Sequence, residues 1–259
     1  MQTIATQLID SHFHLLSMQR KGVDIDLVLA SMREASMEGI DVGLDCDDLA
    51  GRTALFAPYP FIHLSAGIGP WGADDPLDEQ LGKLEDQLTR NKVVAIGEIG
   101  LDNYHTYGTV ENQEYLVEKQ IELANRIGKP VIFHNREADK QFQKLLGKTT
   151  FAKRGIFHCY QGGRELAELA VEQGFYLSFA GPLTYKANKS MQELFSSLPL
   201  DHLLLETDSP YLSPNPVRGT VNTPLSMQHI YAFAAQLRGL ALETLIEQIR
   251  ANFHAFVEQ

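Results

Sequence analysis

The sequence predicts an α/β fold closed as a single TIM-type (β/α)8 barrel over residues 1–259, and three observations carry that expectation. Short apolar runs alternate strictly with helix-patterned segments, eight units in all, which implies a parallel sheet joined by right-handed crossovers. Several runs are almost wholly apolar, as expected of strands covered on both faces, with Val93-Val94-Ala95-Ile96 the clearest. At 259 residues eight such units close naturally into a barrel. No Gly-rich phosphate loop opens a helix after the first strand, as a nucleotide-binding open sheet would need.

The first strand is Leu8 to Leu15, and the spacing predicts a helix over Ile25 to Glu38, stopped by Gly39. Val42 to Cys46 follows as a short strand, then a weak helix near Leu49 to Ala57. Phe61 to Ile68 is the third strand; it runs into a loop from Gly69 to Pro76, and Leu77 to Thr89 is helical. Val93 to Gly100 is the fourth strand, followed by a strong helix over Asn112 to Ile127 that Gly128 ends. Pro130 to His134 and Gly155 to Tyr160 are strands five and six, with helices over Glu137 to Leu146 and Arg164 to Gln173. Phe175 to Gly181 and Leu203 to Asp208 are strands seven and eight, the first followed by a helix over Asn188 to Ser197. Two helical stretches, about Pro224 to Leu237 and Leu242 to Phe256, end the chain.

The bulk numbers exclude some classes of function. The net charge is −11, from 33 acidic against 22 basic residues. That argues against broad, charge-driven binding to duplex nucleic acid or to anionic membranes, which needs a basic face. It leaves room for a nucleic-acid enzyme whose metals and a few arginines handle phosphate locally. Two cysteines, Cys46 and Cys159, are too few for a disulfide framework or a thiolate zinc cluster. With no basic-then-apolar signal at Met1 to Thr6 and no apolar run near the roughly 20 residues of a membrane span, a cytoplasmic protein without membrane attachment is expected. No motif implies an obligate protein partner.

The chemistry gathers at the strand ends. In an extended strand Asp10, His12 and His14 point the same way. A His-x-His of this kind either offers two neutral nitrogens to one cation or consists of buried polar residues satisfied by backbone. The C-terminal ends of barrel strands surround one mouth, and there the sequence places His12, His14, Glu98, His134, His158 and Asp208. A lone ionised Glu98 inside an apolar strand would be costly, so it calls for a cationic partner or a raised pKa. Asp208, after Leu203-Leu204-Leu205, meets the same objection. Four imidazoles and two carboxylates suit zinc or manganese, with magnesium less natural among so many nitrogens. Six donors exceed one four-coordinate site, and two divalent ions about 3.5–4 Å apart account for them better.

These residues lie in motifs that resemble the TatD family of metal-dependent hydrolases, within the amidohydrolase-like barrel superfamily. The motifs are Asp10-Ser11-His12-Phe13-His14, Gly97-Glu98-Ile99-Gly100-Leu101-Asp102, His134-Asn135-Arg136-Glu137-Ala138, Phe157-His158-Cys159-Tyr160 and Glu206-Thr207-Asp208-Ser209-Pro210-Tyr211. The resemblance implies that His12, His14 and Asp208 hold one ion, that His134 and His158 hold the second, and that Glu98 bridges both. It further implies phosphodiester hydrolysis, as a DNase of exonuclease type acting on DNA ends. Two positions depart from the family pattern: Gly69 stands where a Gly-x-His-Pro motif has its histidine, and Thr223 replaces the acid of Arg-Gly-x-x-Asn-Glu-Pro.

In the mechanism that follows, a water activated by the two ions attacks phosphorus, with Asp208 accepting its proton. Glu98 is the second catalytic candidate. Arg136 and Arg218 are candidates to bind flanking phosphates, and Tyr160 and Trp71 to stack a terminal base. His105 is a candidate substrate contact, Glu206 a group that orients a ligand, and His63 a core or barrel-lining residue; His202, His229 and His254 carry no expected function. The alternatives on the same barrel are an amidase or lactonase, a hydrolase of small phosphate esters, and a binding module that holds metal without turnover. Many barrel amidases bridge their metals with a carboxylated lysine on strand four, where this chain has Glu98.

Overall fold

In a computed structural model, which describes residues 7–259, eight parallel strands run in the order β1 to β8 and form a nearly closed barrel surrounded by helices. Residues 1–6, read in the sequence as lacking a targeting signal, lie outside the described residues. In chain order the elements are β1 (Ile9–Phe13), α1 (Leu15–Arg20), α2 (Ile25–Glu34), β2 (Glu38–Val42), α3 (Leu49–Phe56), β3 (Ile62–Ala66) and α4 (Leu77–Arg90). They continue with β4 (Ala95–Asp102), α5 (Val110–Ile127), β5 (Val131–Arg136), α6 (Asp139–Lys148), β6 (Ile156–Phe157), α7 (Arg164–Glu172) and β7 (Tyr176–Phe179). The chain ends with α8 (Lys189–Ser197), β8 (Leu203–Leu205), α9 (Met227–Arg238) and α10 (Leu242–Val257). Among the described residues no helix is long and apolar enough to cross a membrane.

Contacts group the chain into two compact units. The first comprises residues 7–41, Phe61–His63 and Ser178–Ala255. In it β1 meets the segment after β8: the Asp208 amide donates to the His12 carbonyl at 3.0 Å, and the His14 amide to that of Ser209 at 2.8 Å. Its core includes Phe13, Met32, Phe179, Phe195, Tyr231 and Phe253, all buried. The Tyr231 hydroxyl accepts from the Ile9 amide at 3.1 Å, so even this buried phenol is hydrogen-bonded.

The second unit comprises residues 42–60, 64–177 and 256–259. Phe133 of β5 centres an aromatic cluster with Phe142, Phe151, Phe157 and Phe175, its ring 5.1–6.0 Å from the other four. Burying each such ring stabilises the fold by roughly 1.5–3 kcal/mol. Two buried glutamines of α5 fasten that helix to strand ends. Gln120 pairs with both backbone groups of Ile68, at 2.7 and 2.9 Å, and Gln113 with both of Asp102, at 2.8 and 3.2 Å.

Several boundaries differ from the sequence reading. The first long helix stops at Glu34, and Gly39, read as its terminator, lies inside β2. A Cβ there would stand 2.3 Å from the Asp10 carbonyl oxygen, so the glycine serves the close approach of β1 and β2. β2 is therefore Glu38–Val42 rather than Val42 to Cys46. The six-residue α1, absent from the sequence reading, begins directly after His14. β6 and β8 are shorter than expected, so His158 and Asp208 sit just past their strands.

Candidate metal centre

The first unit brings three of the expected residues together. His12 is the penultimate residue of β1, and His14 is the N-cap of α1. Their Nε2 atoms stand 3.1 Å apart, with rings edge-on at 81°. Asp208 adopts left-handed backbone (φ 54°), which Asp tolerates better than most residues. That turn places its Oδ1 3.5 Å from His14 Nε2 and 3.9 Å from His12 Nε2. β8 ends at Leu205, so Glu206 and Asp208 do not share a strand; Glu206 is fully buried, and its carboxylate lies within 4.8 Å of a His12 ring nitrogen.

The second unit holds the other three. Glu98 is in mid-β4 and 3% exposed, so its carboxylate needs partners. Its Oε1 lies 2.7 Å from His134 Nδ1 and 2.9 Å from His158 Nε2, and those two nitrogens are 3.3 Å apart. On its far side, His134 Nε2 lies 3.4 Å from Asp102 Oδ2. Carboxylates on both sides raise the His134 imidazole above its ordinary value, against the burial that would lower it. Burial alone would raise Asp102, but His134, the side chain and amide of His105 and the Tyr104 amide hold its carboxyl well below the usual range.

Both triads fit a divalent cation. Each offers two imidazoles and one carboxylate, with the three donor atoms within 4.8 Å of one another. A tetrahedral shell with ligands at about 2.0–2.2 Å has donor–donor edges of about 3.3–3.6 Å. The first triad, at 3.1–3.9 Å, scatters around that length. The second, at 2.7–3.3 Å, is slightly tighter. Convergence of two imidazole nitrogens and a carboxylate oxygen at these spacings is the donor chemistry of zinc and its neighbours.

The other expected site residues are placed unevenly. Arg136 lines a cleft of about 590 Å³ with Asn103, Asn135, Lys140 and Gln161; its guanidinium lies 4.8 Å from the Tyr104 ring and donates to Gln161 at 3.3 Å. Arg218 is exposed and lies 4.2 Å over the Tyr185 ring. Tyr160 is 2% exposed and its hydroxyl donates to the Gly163 carbonyl at 2.6 Å, so its ring is internal packing and presents no face for a base. Trp71 stands edge-on to His134 with ring centres 6.2 Å apart, its Nε1 donating to the Leu44 carbonyl. A Cβ at Gly69 would meet that indole at 2.3 Å, so Trp71 occupies space that a larger residue at 69 would claim. His105 is half-exposed and held by Asp102 at 2.7 Å. His63 is a partly exposed neighbour of Glu38 rather than a core residue.

Three residues the sequence reading left without a role support the triads. Asp102 lies behind His134. Asn222, fully buried, donates to the carbonyls of Thr207 and Tyr211 and so closes the turn that carries Asp208. Asp10, also fully buried, is joined to the same turn. Asp10 and Asp102 were visible as acids inside or ending apolar strands, the signal that singled out Glu98.

Comparison with known proteins gives a consistent result. Residues 9–258 match the family model described as TatD-related DNase. The chain is 33% identical over 240 residues to the metal-dependent hydrolase YabD of Bacillus subtilis, covering 92% of this chain and 94% of that one. It is likewise 33% identical over 251 residues to the metal-dependent hydrolase YcfH of Escherichia coli, covering 95% and 94%. Among solved structures, the TatD homologue YjjV of Escherichia coli superposes with a TM-score of 0.90 at 28% identity, covering 97% and 98%.

Proposed function

This chain belongs to the TatD family of metal-dependent hydrolases, and from that premise we propose that it is a phosphodiesterase using two divalent ions, a DNase that shortens DNA from its ends. The whole of residues 1–259 is taken as one catalytic domain working in the cytoplasm, a reading that the two free cysteines, Cys46 and Cys159, support. The observation that carries the proposal is the pair of His-His-carboxylate triads, His12–His14–Asp208 and Glu98–His134–His158. In this reading each triad holds one divalent cation, with zinc and manganese favoured by the nitrogen-rich donors.

Bound ions of this kind polarise phosphoryl oxygens and bring the pKa of a water towards neutrality. The protein's own groups supply the rest. Within its triad Asp208 keeps 13% side-chain exposure against 0% for His12 and 4% for His14, which suits it to take the proton of an attacking water. Glu98 gathers two imidazoles on one oxygen and sets the charge of the second triad. Arg136, with a polar cleft beside it, is the side chain in the second unit best placed to bind a flanking phosphate by its planar fork. Arg218 is the corresponding candidate in the first, its guanidinium stacked on Tyr185.

The test is turnover of end-labelled single- and double-stranded DNA by metal-free protein reloaded with Zn2+, Mn2+ or Mg2+, beside Asp208→Asn. Stepwise shortening that requires metal and falls by at least about 100-fold in the variant is expected. Protein that binds two ions yet cleaves no DNA with any metal would sink the DNase assignment and direct the search to small phosphate esters and carbonyl substrates.

A further inference from the structure

Asp10 is a completely buried acid that the proposed chemistry does not use. Burial of a carboxylate without partners costs several kcal/mol, so a buried one implies a purpose for the donors around it. Those donors come from two separate pieces of chain. Asp10 Oδ1 accepts from the His12 amide at 3.3 Å and from the Thr207 amide at 2.9 Å. Oδ2 accepts from the Thr207 hydroxyl at 2.6 Å, and that hydroxyl stands 2.8 Å from Ser209 Oγ. One carboxylate therefore grips the strand bearing His12 and, 197 residues away in sequence, the turn bearing Asp208.

That turn needs holding. Asp208 has left-handed backbone, a conformation costing of order 1–3 kcal/mol that persists only where its surroundings over-determine it. Asn222 fixes the turn's internal shape through the carbonyls of Thr207 and Tyr211. It does not tie the turn to β1. Asp10 shares that link with two backbone hydrogen bonds, Asp208 to His12 and His14 to Ser209. We propose that Asp10 is the positioning residue of the first triad: its hydrogen bonds to His12 and Thr207 set the distance between the two imidazoles and the Asp208 carboxylate, and so the metal affinity of that site. The inference rests on the reading of the triads as metal sites and concerns the His12–His14–Asp208 triad alone.

The experiment reads metal binding rather than cleavage. Zn2+ is titrated calorimetrically into metal-free wild-type protein, Asp10→Ala, Asp10→Asn and Thr207→Val. His14→Ala and His158→Ala identify which binding phase belongs to which triad, and circular dichroism checks folding. Loss of a group that orients metal ligands typically costs roughly 10–100-fold in affinity. Asp10→Ala should therefore weaken the His14-dependent phase by that factor and leave the His158-dependent phase unchanged. Asp10→Asn should restore most of the loss, because its amide oxygen still accepts from the two backbone amides while its nitrogen donates to the Thr207 hydroxyl. Thr207→Val, which removes only the hydroxyl, should weaken the same phase severalfold, and it decides the matter should Asp10→Ala not fold. Unchanged affinities, or equal loss in both phases, overturn the inference and leave the metal reading standing. Wild-type protein that takes up no ion overturns both.

Discussion

A single carboxylate away from the metal centre shows how far one side chain's surroundings set its chemistry. Glu38, the first residue of β2, lies 3.8 Å from His63 Nε2, 3.3 Å from His254 Nε2 and 3.5 Å from an Arg250 nitrogen. His63 above all, then His254 and Arg250, hold its carboxyl below the ordinary value of 4.5, against the burial that would raise it. The sign of the consequence is fixed by linkage. A folded-state pKa below the unfolded one gives stability that is fully present above pH 4.5 and lost as pH falls through the folded value. Urea unfolding of wild type and Glu38→Gln should therefore differ above pH 4.5 and converge as pH falls through the lowered folded value of Glu38. A difference that persists unchanged into acid would show that packing, not charge, explains the variant. None of this was legible in the sequence, where Glu38 looked like the end of a helix and His63 like a core or barrel-lining residue. Two imidazoles 191 residues apart in the chain meet on one acid only because α10 packs beside β2 and β3. By contrast, the six candidate metal ligands could be read locally, each as a polar group interrupting or ending an apolar run.

Elements were most legible where their ends were marked by chemistry. Thr109 caps α5 by accepting from the Asn112 amide at 3.1 Å, and Gly128 ends it with left-handed backbone (φ 67°). That helix runs Val110–Ile127, two residues longer at its start than the sequence indicated. Gly39 misled because glycine serves close strand approach as well as helix termination, and only tertiary contacts tell the two apart. The polar residues inside α5 were likewise illegible as fasteners. Gln120 reaches both backbone groups of Ile68, immediately ahead of the turn at Gly69 to Trp71. Gln120→Ala leaves a buried N–H and a buried carbonyl without those partners, a cost of about 1–3 kcal/mol for each group left unsatisfied. A fall in Tm is expected. Because the chain has one tryptophan, a red shift in intrinsic fluorescence should accompany it as the Trp71 turn loosens. Lower Tm with an unshifted spectrum would mean that Gln120 supports α5 without ordering that turn.

At the scale of the whole molecule, the alternating pattern was enough to give a barrel, because eight strand–helix units of this length leave few other closures. It was not enough to give strand ends. β6 and β8 span two and three residues, the whole of their apolar runs, and the polar residues that follow, which include His158 and Asp208, keep backbone hydrogen bonds to neighbouring segments. Those short strand ends are where regular pairing gives way to the segments that carry these two candidate ligands. A protein with net charge −11 carries self-repulsion that a bound cation relieves. Metal should therefore contribute to stability as well as to catalysis. A ligand that binds only the native state adds RT ln(1 + [L]/Kd), about 2.7 kcal/mol per site at a hundredfold excess over Kd. Chelator-treated protein is expected to melt several degrees below zinc- or manganese-reloaded protein, with Tm rising with the logarithm of metal concentration. His14→Ala and His158→Ala should each keep part of that rise, and the double variant should lose it. A Tm insensitive to metal in the wild type, measured where calorimetry shows full occupancy, would mean that the unfolded chain's nine histidines bind the ions as well as the folded triads do.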